Sequence, residues 1–271
     1  MADTYIHGHH DSVLKSHRWR TAENSAAYLL PHLRPGMSLL DVGCGPGTLT
    51  ADLASRVAPG RVVAIDRSEE VVDEARSATS AVGNVEVEVA DVYRLPFEDG
   101  TFDVVHAHQV LQHLRDPIAA PVEMKRVCRP GGIVAVRDAD YGAMTWWPDA
   151  PGLDAWMSLY QRIARAAGAE PDAGRRLIGW ARAAGFEEVM PSASVWCYAT
   201  PEDRRWWGTL WSERATESDF ARRARDWGLA TPEDLAAISR AWLRWSEADD
   251  GWFVIVHGEA LCRSNPNEMG G

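Results

Sequence analysis

A glycine-rich turn after a short apolar run is the feature that most constrains this chain. Residues 39–48 read LLDVGCGPGT, so an apolar run ends at an acid and three glycines follow at alternate positions. The pattern predicts a buried strand that stops abruptly and turns into a helix from residue 48 to about residue 57. Glycine permits backbone conformations closed to other residues and leaves no side chain between main chain and ligand. Because a helix N-terminus also presents unpaired N–H groups, a nucleotide-like ligand is expected here.

Four further strand-like segments alternate with helical ones up to residue 138. They cover residues 61–66, 85–91, 102–108 and 133–137. Such alternation predicts an α/β fold with a doubly wound, mostly parallel sheet. Ligands of such sheets bind beyond the carboxyl ends of the strands. One crevice is therefore expected to be lined by the polar residues that end these strands: Asp41, Asp66, Asp91, His108 and Asp138.

The second half of the chain is rich in tryptophan and in helix signals. Twelve of the thirteen tryptophans lie after residue 140. Two Thr-Pro-Glu-Asp sequences, at 200–203 and 231–234, are typical helix starts with a cap and an early proline. Two more strands, at 189–199 and 252–262, complete a predicted seven-stranded sheet. The helices between them are predicted to be insertions that form a lid.

The chain is expected to form one integrated domain, since 271 residues with 46% apolar content can bury a sizeable core. Within it, a helix capped by Thr21 is expected to reach about His32. The expected parts are an N-terminal arm and cap helix (1–35), a cofactor-binding Rossmann-like core (36–140), the second half of the sheet with its lid insertions (141–264) and a flexible tail (265–271).

Composition and charge restrict the partners and the compartment. A net charge of −11 and the absence of a basic, aromatic-interleaved stripe argue against a nucleic acid. The four cysteines are far apart, and no export signal or long apolar run is evident, so a cytoplasmic protein without a membrane span is expected. The N-terminal arm is histidine-rich but lacks ligands at a zinc-type spacing. The arm is therefore interpreted as a mobile segment or cap, and no metal is expected.

The strand-end acids make the ligand more specific than the glycines do. Asp66 can accept two hydrogen bonds from a ribose diol, and Asp91 can accept one from an exocyclic amine, with the N–H of Val92 beside it. This pattern describes a bound adenosine without provision for a pyrophosphate. An NAD-dependent dehydrogenase is the alternative, but its fingerprint G-x-G-x-x-G fails at Thr48 and leaves Asp91 unexplained.

Five runs carry a family resemblance: LLDVGCGPGTLT, VVAIDRS, VADVYRLPF, FDVVHAHQVLQHLRDP and RVCRPGG. Together they resemble class I S-adenosylmethionine-dependent methyltransferases, in particular the small-molecule, ubiquinone- and menaquinone-biosynthesis-like (type 11) branch. The resemblance covers about residues 38–138, and residues 174–186 add a weaker match. It implies S-adenosylmethionine as cofactor and S-adenosylhomocysteine as product. The residues implied to bind them are Asp41, Gly43, Cys44, Gly45, Asp66, Arg67, Asp91, Val92, His108 and Gln109.

Methyl transfer is an in-line displacement to which the protein contributes alignment, desolvation and electrostatic fit. A general base is required only if the acceptor must lose a proton. Candidates within the fold are His108, His113 and Asp138, with Asp140 close by, although His113 is also typical of simple packing after the fourth strand. Tyr5 or His10 would join them if the arm folds over the pocket.

The tryptophans favour a small apolar or aromatic acceptor, although most of them are expected to fill the core between the lid and the sheet. The acceptor atom, whether O, N or C, stays open. A homodimer is compatible with a tryptophan-rich lid. A non-catalytic protein that binds S-adenosylmethionine is the second hypothesis, because methyl transfer needs no invariant catalytic side chain.

Overall fold

Alternating strands and helices make up the first half of the computed structural model, which describes residues 11–264 and the side chains from residue 15 onward. The strands lie within a few residues of their predicted positions, except that β5 is far longer. The elements are α1 (Asp11–Arg18), α2 (Ala22–Ser25), β1 (Leu39–Val42), α3 (Thr48–Val57), β2 (Val62–Asp66), α4 (Glu69–Thr79), β3 (Val85–Val89), β4 (Phe102–His108), α5 (Ala119–Val127) and β5 (Cys128–Trp147).

The second half, as far as residue 264, adds two long strands and five α-helices. Thr200 and Thr231 each accept a hydrogen bond from the backbone N–H three residues on, at 3.1 Å in both cases, which confirms the two predicted helix starts. The elements are α6 (Pro151–Ala166), α7 (Leu177–Ala183), β6 (Glu188–Tyr198), α8 (Pro201–Glu217), α9 (Asp219–Asp226), α10 (Pro232–Ser246) and β7 (Trp252–Arg263).

All seven strands belong to one sheet in the order β3-β2-β1-β4-β5-β7-β6. Strands β1 to β5 are parallel, and β7 runs antiparallel to both of its neighbours. The predicted seven-stranded, mostly parallel sheet is confirmed. Because β1 and β4 are adjacent and β2 lies next to β1, their carboxyl ends meet at one edge of the sheet.

The end of β5 differs from its prediction. The sequence places a strand at residues 133–137 with Asp138 at its end, whereas the strand continues to Trp147. Strand β7 pairs with it from Ile133 to Trp147, with a register shift between Asp140 and Thr145. Asp138 therefore lies within a ladder and not at a strand end. A long antiparallel partner extends the strand beyond the point where local sequence suggests a stop.

The cap helix is also shorter than predicted. Thr21 caps α2 as expected, but the helix ends at Ser25, and a 3-10 turn follows at Leu30–His32. The indole N–H of Trp196 donates to the backbone oxygen of Asn24 at 2.6 Å. In a longer helix this carbonyl would accept from the N–H four residues on, but here it accepts from Trp196. Residues 1–10 of the predicted arm and the tail 265–271 lie outside the described residues.

The lid, defined here as α6 and α8 to α10, is attached to the sheet by an aromatic core. Trp156 of α6 is fully buried, with its ring centroid 4.6 Å from that of Trp211 and 4.9 Å from that of Trp242. Phe253 of β7 completes the contact at 5.3 Å from Trp242. Burying several such side chains supplies most of the lid's attachment. Among the described residues, no helix combines the length and apolarity that crossing a membrane requires.

Candidate functional site

A cavity of about 1150 Å³ lies over the carboxyl ends of β1, β2 and β4 and reaches under the lid. Asp41 and Cys44 line a small side pocket that shares Gly43 and His108 with this cavity. The structure thus brings all ten predicted cofactor residues to one place. The other eight line the cavity itself: Gly43, Gly45, Asp66, Arg67, Asp91, Val92, His108 and Gln109.

The glycine turn exposes main chain to the cavity. Gly43, Gly45 and Gly47 have φ values of +67°, +56° and +83°, a region that disfavours residues with a Cβ. The N–H of Cys44 donates to the carbonyl of Ile65 at 2.9 Å and thereby fixes the turn to β2. The turn is a rigid backbone surface on which a ligand can lie closely.

The carboxylate of Asp41 is used inside the protein. It accepts a hydrogen bond from the hydroxyl of Thr50 at 2.6 Å and contacts His106 Nδ1 at 2.8 Å. Both side chains are buried, and Asp41 and His106 are partners in the β1–β4 register. Sequence analysis did not single out His106, because its role depends on strand order. Asp41 therefore fixes the strand, and a ligand meets mainly the backbone here.

The two remaining acids hold their own loops and face the cavity. Asp66 accepts from the N–H of Gly45 at 3.3 Å and from that of Ser68 at 3.1 Å. Asp91 accepts from the N–H of Tyr93 at 3.0 Å. Both side chains line the cavity, and a carboxylate offers about four acceptor positions, so each acid can be approached by donors of a ligand. These acceptors suit the hydroxyls of a ribose and the amino group of an adenine.

The protonation of His113 follows from its neighbour. Gln112 Oε1 accepts from the N–H of Ala139 at 3.3 Å, so the amide NH₂ of Gln112 faces His113 Nε2 at 3.0 Å. Burial, with a smaller contribution from Arg20, lowers the pKa of His113 to about 3. The neutral ring thus accepts at Nε2 and carries its proton on Nδ1. To act as a base, His113 would first have to release Gln112.

The position of the proton on His108 is also set by a neighbouring side chain. Arg137, itself buried, has Nη1 3.5 Å from His108 Nδ1, and a guanidinium only donates. The His108 proton is therefore on Nε2, which has no hydrogen-bond partner among the described residues. Burial, followed by the charges of Arg20 and Arg137, holds the pKa of His108 well below its usual value. In this arrangement His108 is a hydrogen-bond donor beside the cavity.

The other base candidates lie away from the cavity wall. Asp138 is fully buried, accepts from the N–H of Gln112 at 3.1 Å, and has its pKa raised by burial to about 7. Asp140 forms an ion pair with Arg175, whose Nε lies 2.7 Å from Asp140 Oδ2. Neither acid is among the residues that line the cavity. Tyr5 and His10 lie outside the described residues.

The far end of the cavity is formed by residues that sequence reasoning did not assign to a site. Aromatic side chains of the sheet and the lid make up most of its wall: Tyr141, Trp156, Trp196, Trp207 and Trp211. Two arginines of the lid contribute as well: Arg214 and Arg223. Their presence at one cavity depends on helix packing, so no local motif announces them. This end combines flat apolar surface with cationic groups.

Comparison with known proteins identifies the family. A family model described as a methyltransferase domain matches residues 40–136. Over 269 residues the chain is 36% identical to an uncharacterized methyltransferase of Schizosaccharomyces pombe, and the match covers 96% of both proteins. The chain belongs to the class I S-adenosylmethionine-dependent methyltransferases. Membership confirms the family indicated by the sequence motifs and decides against the NAD-dependent dehydrogenase.

Two further comparisons show what else this methyltransferase is similar to. It is 40% identical over 103 residues to demethylmenaquinone methyltransferase of Staphylococcus aureus, a match that covers 38% of this chain and 43% of that protein. A structure of phosphoethanolamine N-methyltransferase 2 of Haemonchus contortus, in complex with phosphomonomethylethanolamine and S-adenosylhomocysteine, superposes with a TM-score of 0.60 and 16% identity. The superposition covers 95% of this chain and 59% of the Haemonchus contortus chain, and it shows that the two proteins share a fold.

Proposed function

We propose that this methyltransferase transfers the methyl group of S-adenosylmethionine to a small acceptor with an apolar or aromatic body. The observation that carries the proposal is the cavity itself. One end is lined by Asp66 and Asp91, and the other by Trp156, Trp207 and Trp211. A polar end suited to adenosine and an aromatic end within the same enclosure give a donor and an acceptor room to meet.

The residues present fit the cofactor. Asp66 would accept from the ribose hydroxyls, and Asp91 from the adenine amino group. Arg20 lines both the cavity and the side pocket of Asp41 and Cys44, so its guanidinium would face the carboxylate of the methionine end. When bound, S-adenosylmethionine supplies a methyl group on a positively charged sulfur, and no further cofactor is needed for transfer.

The chain's own part in the reaction is to orient and desolvate the acceptor. The rings of His108 and His113 are neutral, and each carries one N–H that can donate a hydrogen bond. They would therefore hold an oxygen or nitrogen atom of the acceptor in line with the methyl group. The buried aromatic walls exclude water from the attacking atom. A general base among these groups would be needed only for an acceptor that arrives protonated.

Calorimetric titration with S-adenosylmethionine, S-adenosylhomocysteine and NAD tests the cofactor part. We expect both sulfur ligands to bind and D66N to weaken binding of S-adenosylhomocysteine by about 10- to 100-fold, because charge-assisted hydrogen bonds are lost. The matched control is D73N on α4, whose exposed carboxylate pairs only with Arg76 among the described contacts. It should bind as the wild type does. Absence of binding by either sulfur ligand contradicts the proposal.

Turnover is tested by measuring S-adenosylhomocysteine release with a panel of phenols, quinones, amines and aromatic acids. We expect release with at least one apolar or aromatic member. Cofactor binding without turnover across the panel would instead favour the second hypothesis, a protein that binds the cofactor without transferring its methyl group.

A further inference from the structure

Arg223 of α9 brings a guanidinium to the acceptor end of the cavity. Only 12% of its side chain is exposed, and Arg223 lines the cavity wall. Its Nη2 lies 3.3 Å from Asp219 Oδ2. Its Nη1 is buried and has no hydrogen-bond partner among the described residues. The side chain is thus largely removed from water while one of its donor groups is unused.

The carboxylate that pairs with Arg223 is shared with a second guanidinium. Asp219 also pairs with Arg222, at 3.0 Å between Nη2 and Oδ1, and Arg222 in turn contacts Asp226 at 3.6 Å between Nη1 and Oδ2. Burial lowers the pKa of Arg223, which reflects the loss of water around its cation. A buried cation without full compensation costs free energy. A bound anion in the cavity would offset this cost.

The surroundings of Arg223 restrict the kind of anion. The cavity that Arg223 lines is also lined by the flat aromatic side chains of Tyr141, Trp156 and Trp211. Arg214 lies with its Cζ 5.1 Å from the ring centroid of Trp211 and donates to Ser16 Oγ at 2.6 Å, so it is already engaged in packing. The buried Nη1 of Arg223, which has no hydrogen-bond partner among the described residues, suits a single anionic group. The planar fork of arginine pairs best with a carboxylate in this setting.

We propose that the methyl acceptor carries a carboxylate that binds Arg223, on a flat apolar body that lies among the tryptophans of the lid. The proposal rests on the proposed function, since it names the substrate class of that same cavity. The carboxylate selects the acceptor and sets its orientation, and the aromatic walls provide most of the contact area.

Two probes of equal shape test the proposal, 2-naphthoate and its neutral analogue 2-naphthamide. Their binding is followed by tryptophan fluorescence in protein saturated with S-adenosylhomocysteine. We expect naphthoate to bind about tenfold or more tightly than naphthamide, as a charge-assisted pair implies. R223Q should remove this preference by weakening naphthoate alone, and R223K should retain part of it.

R222Q is the matched control, because Arg222 shares Asp219 with Arg223 but has 54% of its side chain exposed and is not part of the cavity wall. It should keep the preference for naphthoate. Equal affinity of the wild type for both probes, no binding of either, or an equal effect of R222Q and R223Q would overturn the proposal. Calorimetry with S-adenosylhomocysteine alone separates the two proposals: a failed probe preference with intact cofactor binding contradicts only the carboxylate.

Discussion

Gly43 leaves β1 with a φ of +67°, and a Cβ built on it would lie 2.5 Å from Val110 Cγ2. Two constraints therefore act on one residue. The positive φ disfavours any residue with a Cβ, and Val110, which lines the cavity, occupies the space that a Cβ would need. The turn can hold its shape against β4 only because this position has no side chain.

We expect G43A to lower the free energy of unfolding by about 2–4 kcal/mol, since backbone strain and a steric clash both contribute. Binding of S-adenosylhomocysteine should weaken as the turn shifts. G36A is the control, because Gly36 has a φ of +89° but nothing within 4 Å of its Cβ position. G36A should therefore lose stability through backbone strain only, without a steric clash. Equal losses for the two variants in urea denaturation would show that the contact with Val110 is unimportant.

Some site residues are placed by a local sequence pattern, and others are placed only by the packing of distant elements. Asp66 and Asp91 could be predicted because each follows a recognisable strand, and parallel strand ends share an edge. Arg223 could not be predicted, because it reaches the cavity only through the packing of α9 against α6 and α8. The same holds for Gln112, whose amide orients His113 after the chain folds. Local patterns therefore predict the cofactor end better than the acceptor end.

Helices α8 and α10 approach closely because α8 has a glycine where they meet. A Cβ on Gly208 would lie 2.5 Å from the Cβ of Ser246 and 2.8 Å from the carbonyl oxygen of Trp242. Trp242 belongs to the aromatic core that attaches the lid to the sheet. The separation of these two helices thus influences the tryptophans that line the acceptor end.

G208A is expected to lower the free energy of unfolding by about 1–3 kcal/mol, because overpacking outweighs the gain of about 1 kcal/mol that alanine brings to a helix. Gly179 in α7 provides the contrast, since nothing lies within 4 Å of its Cβ position. G179A should therefore raise stability by about 0.5–1 kcal/mol. Chemical denaturation of both variants measures the difference, and a stabilised G208A would contradict the close packing of α8 and α10.

Element boundaries were predictable where the signal is carried by the segment itself. The caps at Thr200 and Thr231 needed only the four residues that form them, and both helices begin there. The end of β5 needed knowledge of β7, more than a hundred residues later in the chain. The early end of α2 likewise depends on Trp196 of β6. Long-range partners account for both errors.

Across the whole molecule, several buried groups are held in their neutral forms. Burial is the main cause that lowers the pKa values of His108, His113 and His257 below the usual range. It also raises the pKa of Asp138 to about 7. All four lie near the carboxyl end of β4 or in the adjacent parts of β5 and β7, where the sheet meets the lid. The stability of this region therefore depends on pH.

Acidification from about pH 7 to about pH 5.5 is expected to destabilise the protein. The unfolded chain binds protons at its histidines below about pH 6.5, whereas the folded chain keeps the three buried rings neutral, so stability falls with pH. Asp138 acts in the opposite direction, because the folded state keeps its proton up to about pH 7. The effect of the three histidines exceeds that of the one aspartate, so the free energy of unfolding is expected to fall by roughly 2 kcal/mol.

Urea denaturation at the two pH values measures this loss, and two variants separate its sources. H113Q removes one histidine while keeping a polar side chain, so its stability should fall less on acidification. D138N removes the opposing carboxyl, so its stability should fall more. These opposite changes are specific to buried titrating groups, since a general loss of packing would shift both variants in the same direction. If the wild type and both variants lose the same stability on acidification, these side chains are not held neutral by the fold.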